Sequence, residues 1–331
     1  MAPFRLAHVS DVHLGPIPRP DWRDLANKRL TGYLTYQGHR ARRYDPAFLA
    51  ATLADMAAHA PDHIALTGDV VNIGLAVEFS RAEAFLEEMG SPERMSLVPG
   101  NHDAYLAASI PFMRSAFGRW MTSEAGPDGW RADAPWPGDA PAAAADPRLR
   151  QVPADQGFPF LRRRGPVALI GLSSAVPTLP FIATGTLGRG QVERFLALLA
   201  QLGREGAFRV VMVHHPPYRG GTKPLRGLTD AADFEAAIAE HGAELVLHGH
   251  NHRAQTCDLP GPGGRPVPVL GVAAASASSQ AEGYRAGWNL IEVGEDGRAV
   301  VERRVSRPGS AGAGFETVER RALAAGPRVA V

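Results

Sequence analysis

The sequence predicts an α/β fold with a largely parallel central arrangement, and three observations lead there. Short runs of apolar and β-branched residues alternate with longer stretches of helical periodicity along most of the 331 residues, the pattern of strands joined by helical crossovers. Each short run stops at Gly, Pro, Asp, His or Ser, as strands do where the chain turns. The hydrophobic fraction of 45% is ordinary for a globular chain and is enough to fill a sizeable core.

Taken in order, strands are expected from Phe4 to Val9, His63 to Leu66, Met95 to Val98, Val167 to Leu172, Arg209 to Val213 and Glu244 to Leu247. Between them fall helices from Pro46 to His59, Val77 to Met89, Arg189 to Leu202 and Thr229 to His241. In the third helix Val192, Phe195, Leu196, Leu199 and Leu202 make one apolar stripe, which commits that face to the core. After residue 266 the texture changes to strands and turns. Glu295-Asp-Gly297 reads as a hairpin turn between Trp288–Val293 and Ala299–Val305, since Asp-Gly supplies the positive φ such turns need. One catalytic domain is expected over residues 1–305. Residues 118–160, crowded with Pro, Ala, Gly and Asp around Trp120, Trp130 and Trp136, read either as a surface insertion or as a cap over the site. Residues 306–331 read as a loosely docked tail.

A net charge of +1 gives no global attraction for a nucleic acid polymer, so any affinity for phosphate must be local. Cys257 is the single cysteine, which excludes an intrachain disulfide and a cysteine-rich zinc module and fits a reducing compartment. The opening residues run directly into a strand, and no run of roughly 18 apolar residues occurs. A cytoplasmic location is the expectation.

The chemistry stands where the strands end. The first strand runs into Asp11-Val-His13, the second into Gly68-Asp69 and the third into Gly100-Asn-His-Asp103; later strands deliver His214-His215 and Gly249-His-Asn-His252. Carboxyl ends of strands converge on the ligand crevice of an α/β sheet, so the five endings can share one site. Asp, His and Asn are donors suited to first-row divalent metals. Singly, Asp-x-His or Gly-Asp says little. Five in this order, each after an apolar strand, make a strong signal.

This order and spelling resemble the calcineurin-like metallophosphoesterase superfamily, whose pattern is D-x-H, GD, GNH-D/E, H and G-H-x-H, and the resemblance runs from Asp11 to His252. It implies a four-layer αββα sandwich, two packed sheets flanked by helices, with two divalent metal ions (Mn, Fe or Zn) at the strand ends. Carried over position by position, Asp11, His13, Asp69 and His252 would hold one ion. Asp69, Asn101, His214 and His250 would hold the other, with Asp69 bridging. Two divalent cations bring +4 and only Asp11 and Asp69 bring carboxylates. The remaining positive charge would bind a phosphate anion and lower the pKa of a bridging water. The Gly-Asn-His-Asp spelling and the segment His214 to Pro217 are most similar to bacterial phosphodiesterases of cyclic nucleotides or glycerophosphodiesters, in which a metal-bridging hydroxide attacks the ester.

By the same resemblance His102 would touch the phosphate or protonate the leaving oxygen, a role that needs a raised pKa. Protein Ser/Thr phosphatases of the superfamily carry an Asp three residues after the bridging Asp; Asn72 stands there, which argues against a phosphoprotein substrate. Asp103 would orient a ligand or cap a turn. His8 and His248 are expected to pack beside the ligands, His215 to shape the turn before Pro216-Pro217, and His39, His59, His63 and His241 to lie at the surface or at helix ends.

Residues 25–44 form a basic amphipathic insertion. Lys28, Arg29, Arg40, Arg42 and Arg43 occur with no acidic residue, beside a stripe of Trp22, Leu25, Ala26, Leu30, Tyr33 and Leu34. Such a segment packs as a solvated face on the core or makes peripheral contact with an anionic membrane. The second option keeps a membrane-associated pyrophosphatase of the UDP-diacylglucosamine type open. An inactive metal-binding scaffold is the non-enzymatic alternative, and all seven ligand positions carry competent residue types. The expected partner is a small-molecule phosphoester, and the sequence is silent on oligomeric state.

Overall fold

A computed structural model describes residues 2–124, 157–309 and 314–323. Two six-stranded sheets carry the fold. In the first, β1 (Phe4–Val9), β2 (His63–Leu66) and β3 (Met95–Leu97) are parallel, and β10 (Gly287–Val293), β11 (Ala299–Ser306) and β12 (Phe315–Ala322) continue from β1 antiparallel. In the second, β5 (Val167–Gly171), β6 (Phe208–Met212), β7 (Leu245–His248) and β9 (Pro266–Gly271) are parallel, edged by antiparallel β4 (Phe160–Arg164) and β8 (Gln255–Pro260).

Period-2 alternation binds the layers. Val167 and Leu169 of β5 point into one cluster with Leu6, Val9, Leu66 and Leu97 of the first sheet. Ala168 and Ile170 point the other way, onto Phe195 and Leu199 of the helix Arg189–Arg204 and Phe234 and Ile238 of the helix Ala231–His241;. Leu49 and Met56 of α2 (Pro46–Ala58) and Phe79 and Leu86 of α3 (Ala76–Met89) join the first cluster. Each such side chain, fully withdrawn from water, contributes ~1.5–3 kcal/mol. The expected sandwich of two sheets flanked by helices is the fold observed. Local signals agree with it: the Asp45 side chain accepts from the Ala47 amide at 2.8 Å and Pro46 opens α2, as a capped helix start requires.

Three expectations change. Phe315–Ala322, inside the stretch read as a loose tail, is a strand paired along β11, and Phe315 and Leu323 are buried in the main cluster. Of its eight residues only Phe315 is buried and charged side chains fall on both faces, so the sequence carries no apolar alternation there. His63, expected at the surface, is buried, with its Nε2 2.8 Å from Ser96 Oγ across the β2–β3 pair.

The basic insertion folds as α1 (Arg29–Gly38) followed by a short 3-10 turn, and it does not present five charges outward. Arg29 donates to the carbonyls of Ile73 and Gly74, Lys28 reaches Thr178 Oγ1 at 2.8 Å, and Arg40 turns onto His102. Arg42 and Arg43 remain exposed. Arg29 is buried and Lys28 and Arg40 are half-buried, each satisfied by a local partner.

Of the stretch read as insertion or cap, Trp120 is buried and donates to the Gly90 carbonyl at 2.9 Å, while 125–156 lie outside the described residues. Also outside them are 310–313 and 324–331 of the expected tail. Among the described residues no helix is long and apolar enough to cross a membrane.

Candidate metal centre

β1 leads into Asp11 and His13, β2 into Asp69, β3 into Asn101 and His102, β6 into His214, and β7 into His250 and His252. At five of the seven expected ligand positions the backbone is left-handed: Asp11 (φ 53°), His13 (45°), Asp69 (56°), His250 (69°) and His252 (50°). Among the described residues only Ala60, Phe181 and Leu225 share that region without being glycine. Such conformations cost ~1–3 kcal/mol each and gather where function over-determines the chain. A glycine makes the crossing possible: a Cβ on Gly249 would overlap Ser10 Oγ and Asp11 Oδ2.

All seven donors converge. Atoms of Asp11, His13, Asp69 and His252 lie within 4.8 Å of one another. His13 Nε2 is 3.2 Å from His252 Nε2, which is 3.1 Å from Asp11 Oδ1. On the other side Asn101 Oδ1 lies 2.9 Å from His250 Nδ1 and 3.3 Å from His214 Nε2. One oxygen, Asp69 Oδ2, faces both groups, at 3.7 Å from His13 Nε2 and 3.4 Å from His214 Nε2.

The surroundings aim these atoms. The backbone amides of His250 and His102 bond Asp11 Oδ2 and Asp69 Oδ1, at 3.1 and 2.8 Å. The opposite oxygen of each carboxylate is left for the interior, and Asp11 Oδ1 is buried without a hydrogen-bond partner. His214 Nδ1 is 2.7 Å from the Thr67 carbonyl. His252 Nδ1 is 2.7 Å from the Tyr44 hydroxyl. Bonds of this kind fix which ring nitrogen is offered to a metal. Asp103 accepts from the amides of Asp69, Val70, Val71 and Gly100 at 2.8–3.1 Å. It therefore caps the turn that carries Asp69, and burial with the Asp69 charge nearby raises it to about 7.

The electrostatics suit cation binding. Burial pushes His13 and His250 well below the ordinary imidazole value. Burial would raise Asp69, but the neighbouring His214, which also bonds it, overcomes this and holds the carboxylate low. Metals require neutral imidazole ligands. Burial would lower His214 too, but the Asp69 charge and hydrogen bond overcome this and raise the ring to about 9, so an ion bound there would displace that proton. The buried, unpartnered Asp11 Oδ1 and the close approach of ring nitrogens fit a pair of divalent ions.

His102 departs from expectation. Burial and the neighbouring Arg40 push it down to about 3, not up. Its Nδ1 bonds the Asn72 carbonyl and its Nε2 lies 2.8 Å from Arg40 Nη1. With Nδ1 donating to that carbonyl, Nε2 is left as acceptor for the guanidinium, and the ring carries no spare proton.

Two residues at the site were missed in the sequence. Arg40 was grouped with surface cations, and Tyr44 stacks on His13 with ring centroids 4.5 Å apart while holding His252. The signal available was only the position of the insertion, directly after the first motif. The remaining histidines stay off the donor cluster. His8 contacts Thr67 and Asn289, His248 bonds the Gly249 carbonyl, and His215 bonds Ser174 Oγ and the Ala183 carbonyl. Cys257 is half-buried.

Residues 4–254 match the family model of calcineurin-like phosphoesterases. Over 256 residues the sequence is 26% identical to a probable cyclic nucleotide phosphodiesterase of Synechococcus sp., covering 75% of this chain and 78% of that one. The fold is similar to that of a dimetal phosphatase from Danio rerio, with a TM-score of 0.60 at 12% identity over 98% of this chain and 99% of the other. It is also similar to a purple acid phosphatase from yellow lupin (Lupinus luteus) seeds, with a TM-score of 0.56 at 12% identity over 96% of this chain and 53% of that one.

Proposed function

We propose that this chain, which belongs to the calcineurin-like phosphoesterase family and is a metal-dependent phosphoester hydrolase, acts on phosphodiesters of the cyclic nucleotide or glycerophosphodiester type. The observation that carries the reading is Asp69 Oδ2, one buried carboxylate oxygen facing two separate sets of donors. Asp11, His13, Asp69 and His252 would hold one ion; Asp69, Asn101, His214 and His250 would hold the other. This imidazole-rich set favours Mn, Fe or Zn over Mg and Ca, which prefer oxygen donors. Bound there, the ions supply Lewis acidity and acidify coordinated water.

The chain's own residues do the rest. Arg40, resting on His102, has further donors for a phosphate oxygen, and its planar fork suits that geometry. His102 holds the guanidinium in place and is itself anchored on Asn72. Tyr44 keeps His252 turned inward. The relative from Synechococcus supports a diester substrate.

Turnover of bis(p-nitrophenyl) phosphate is expected with Mn and not after chelation, followed by turnover of some member of a panel of cyclic nucleotides and glycerophosphodiesters. A Mn-loaded protein inert toward all of them would sink the reading.

A further inference from the structure

Beside the metal centre lies an open cavity of about 1010 Å³, reaching it through Tyr44 and His252. His252 is the one member of the Asp11 cluster that is not buried, so a molecule in the cavity reaches the centre past this ring. Arg43, Lys223, Arg226 and Arg253 line the wall, with hydroxyls from Thr222, Ser278 and Ser279, and among the described residues no carboxylate does. None of the four cations pairs with a carboxylate among the described residues. Arg253 lies over the Tyr284 ring at 5.6 Å. Elsewhere arginines are commonly neutralised, as in Arg119 with Glu87, Arg219 with Glu235 and Arg304 with Asp55.

A cyclic mononucleotide carries one negative charge, which the metal centre and Arg40 already meet, and it needs little of this volume. Known small-molecule sites span ~300–1,000 Å³, and this cavity lies at the top of that range. Three guanidinium forks and an ammonium held without counter-charge in one concavity mark a place for concentrated negative charge.

We infer that this cavity binds a second phosphoryl group of the substrate, next to the one being cleaved. The substrate class is then a pyrophosphate-linked or otherwise multiply phosphorylated diester. This rests on the metal-dependent phosphoester hydrolase reading and replaces the simple cyclic mononucleotide among its substrates with a diester that carries a second phosphoryl group.

Calorimetric titration of the metal-loaded protein with ADP and with AMP tests the inference without turnover. ADP should bind about tenfold more tightly or better, the worth of one added charge-assisted hydrogen bond. The preference should fall towards one in the double variant Arg226→Gln/Arg253→Gln and should weaken as salt rises. Both side chains are exposed, and circular dichroism checks that the variant folds. The single variant Arg226→Glu gives a second reading and should depress ADP binding more than AMP binding. Equal affinities in the unmodified protein, or a preference that survives the substitutions, overturns the subsite. Activity on bis(p-nitrophenyl) phosphate is scored separately. A protein that prefers ADP but cleaves no diester loses the proposed reaction, whereas one that cleaves diesters without the preference loses the subsite alone.

Discussion

Tyr44→Phe isolates a single hydrogen bond at the edge of the metal centre. The ring stacks on His13 and a phenylalanine keeps that contact, so only the hydroxyl 2.7 Å from His252 Nδ1 is lost. Without it His252 Nε2 is less firmly held towards Asp11 Oδ1, 3.1 Å away, although His13 Nε2 stays 3.2 Å from it. Leaving a buried polar group unpaired costs ~1–3 kcal/mol. The His252 side chain is 25% exposed, so water can replace part of the bond and the loss should sit near the lower end. At about 1.4 kcal/mol per tenfold, metal affinity at that position should fall roughly tenfold, within the ~10–100-fold worth of such outer partners.

Competition against a chromophoric chelator reads the two ions separately. The ion held by Asp11, His13 and His252 should weaken. The one held by Asn101, His214 and His250 should not, since none of these touches Tyr44. Turnover lost at limiting metal should return at saturating metal. A variant that binds both ions like the parent, or whose turnover stays low in excess metal, would refute the positioning role.

Further outcomes are expected elsewhere. The intact protein should carry about two transition-metal equivalents, and Asp69→Asn should lower metal content and turnover together; normal activity in that variant would remove Asp69 as the shared ligand. Arg209 and Glu244 form an ion pair only 2% exposed at the starts of β6 and β7, opposite the ligand ends. Glu244→Gln should therefore cost ~3–5 kcal/mol in urea unfolding with kcat preserved, and a loss below ~1 kcal/mol would show that the pair is dispensable. Burial, reinforced by Arg164 and Arg162, lowers the His63 pKa to about 3. The neutral ring is thus favoured by folding, and its contribution is present above the unfolded value of about 6.5 and drains away as pH falls from there to about 3. The stability gap between the parent and His63→Gln should narrow across that window, and a constant gap from pH 7 to 4 would contradict the shift.

Much of this molecule could be read from the chain because strand ends and candidate metal donors coincide. Each of β1, β2, β3, β6 and β7 is followed within four residues by an Asp, Asn or His, so the seven candidate donors were visible as punctuation. Arg40 and Tyr44 were not, because their partners His102 and His252 are 62 and 208 positions away and no local pattern encodes that meeting. The insertion looked like a charged face because composition counts cations without showing which are spent on carbonyls, as Arg29 is on Ile73 and Gly74. β12 escaped notice because only Phe315 of its eight residues is buried, so no apolar alternation marks it. The surroundings of His102 were hidden for a similar reason: its pKa is lowered first by burial and then by a guanidinium brought in from the insertion.

The left-handed backbone at Asp11, His13, Asp69, His250 and His252 bears on what would follow if catalysis were abandoned. Five such residues at ~1–3 kcal/mol each are a heavy load for a fold whose whole margin is ~5–15 kcal/mol. A descendant released from selection for turnover would gain stability by letting these loops relax, even before any ligand was replaced. Backbone geometry could then separate living enzymes from retired ones among relatives that still spell every motif. Aspartates and histidines held at positive φ would mark a centre kept under tension for its chemistry. The same letters in relaxed turns would mark a relic.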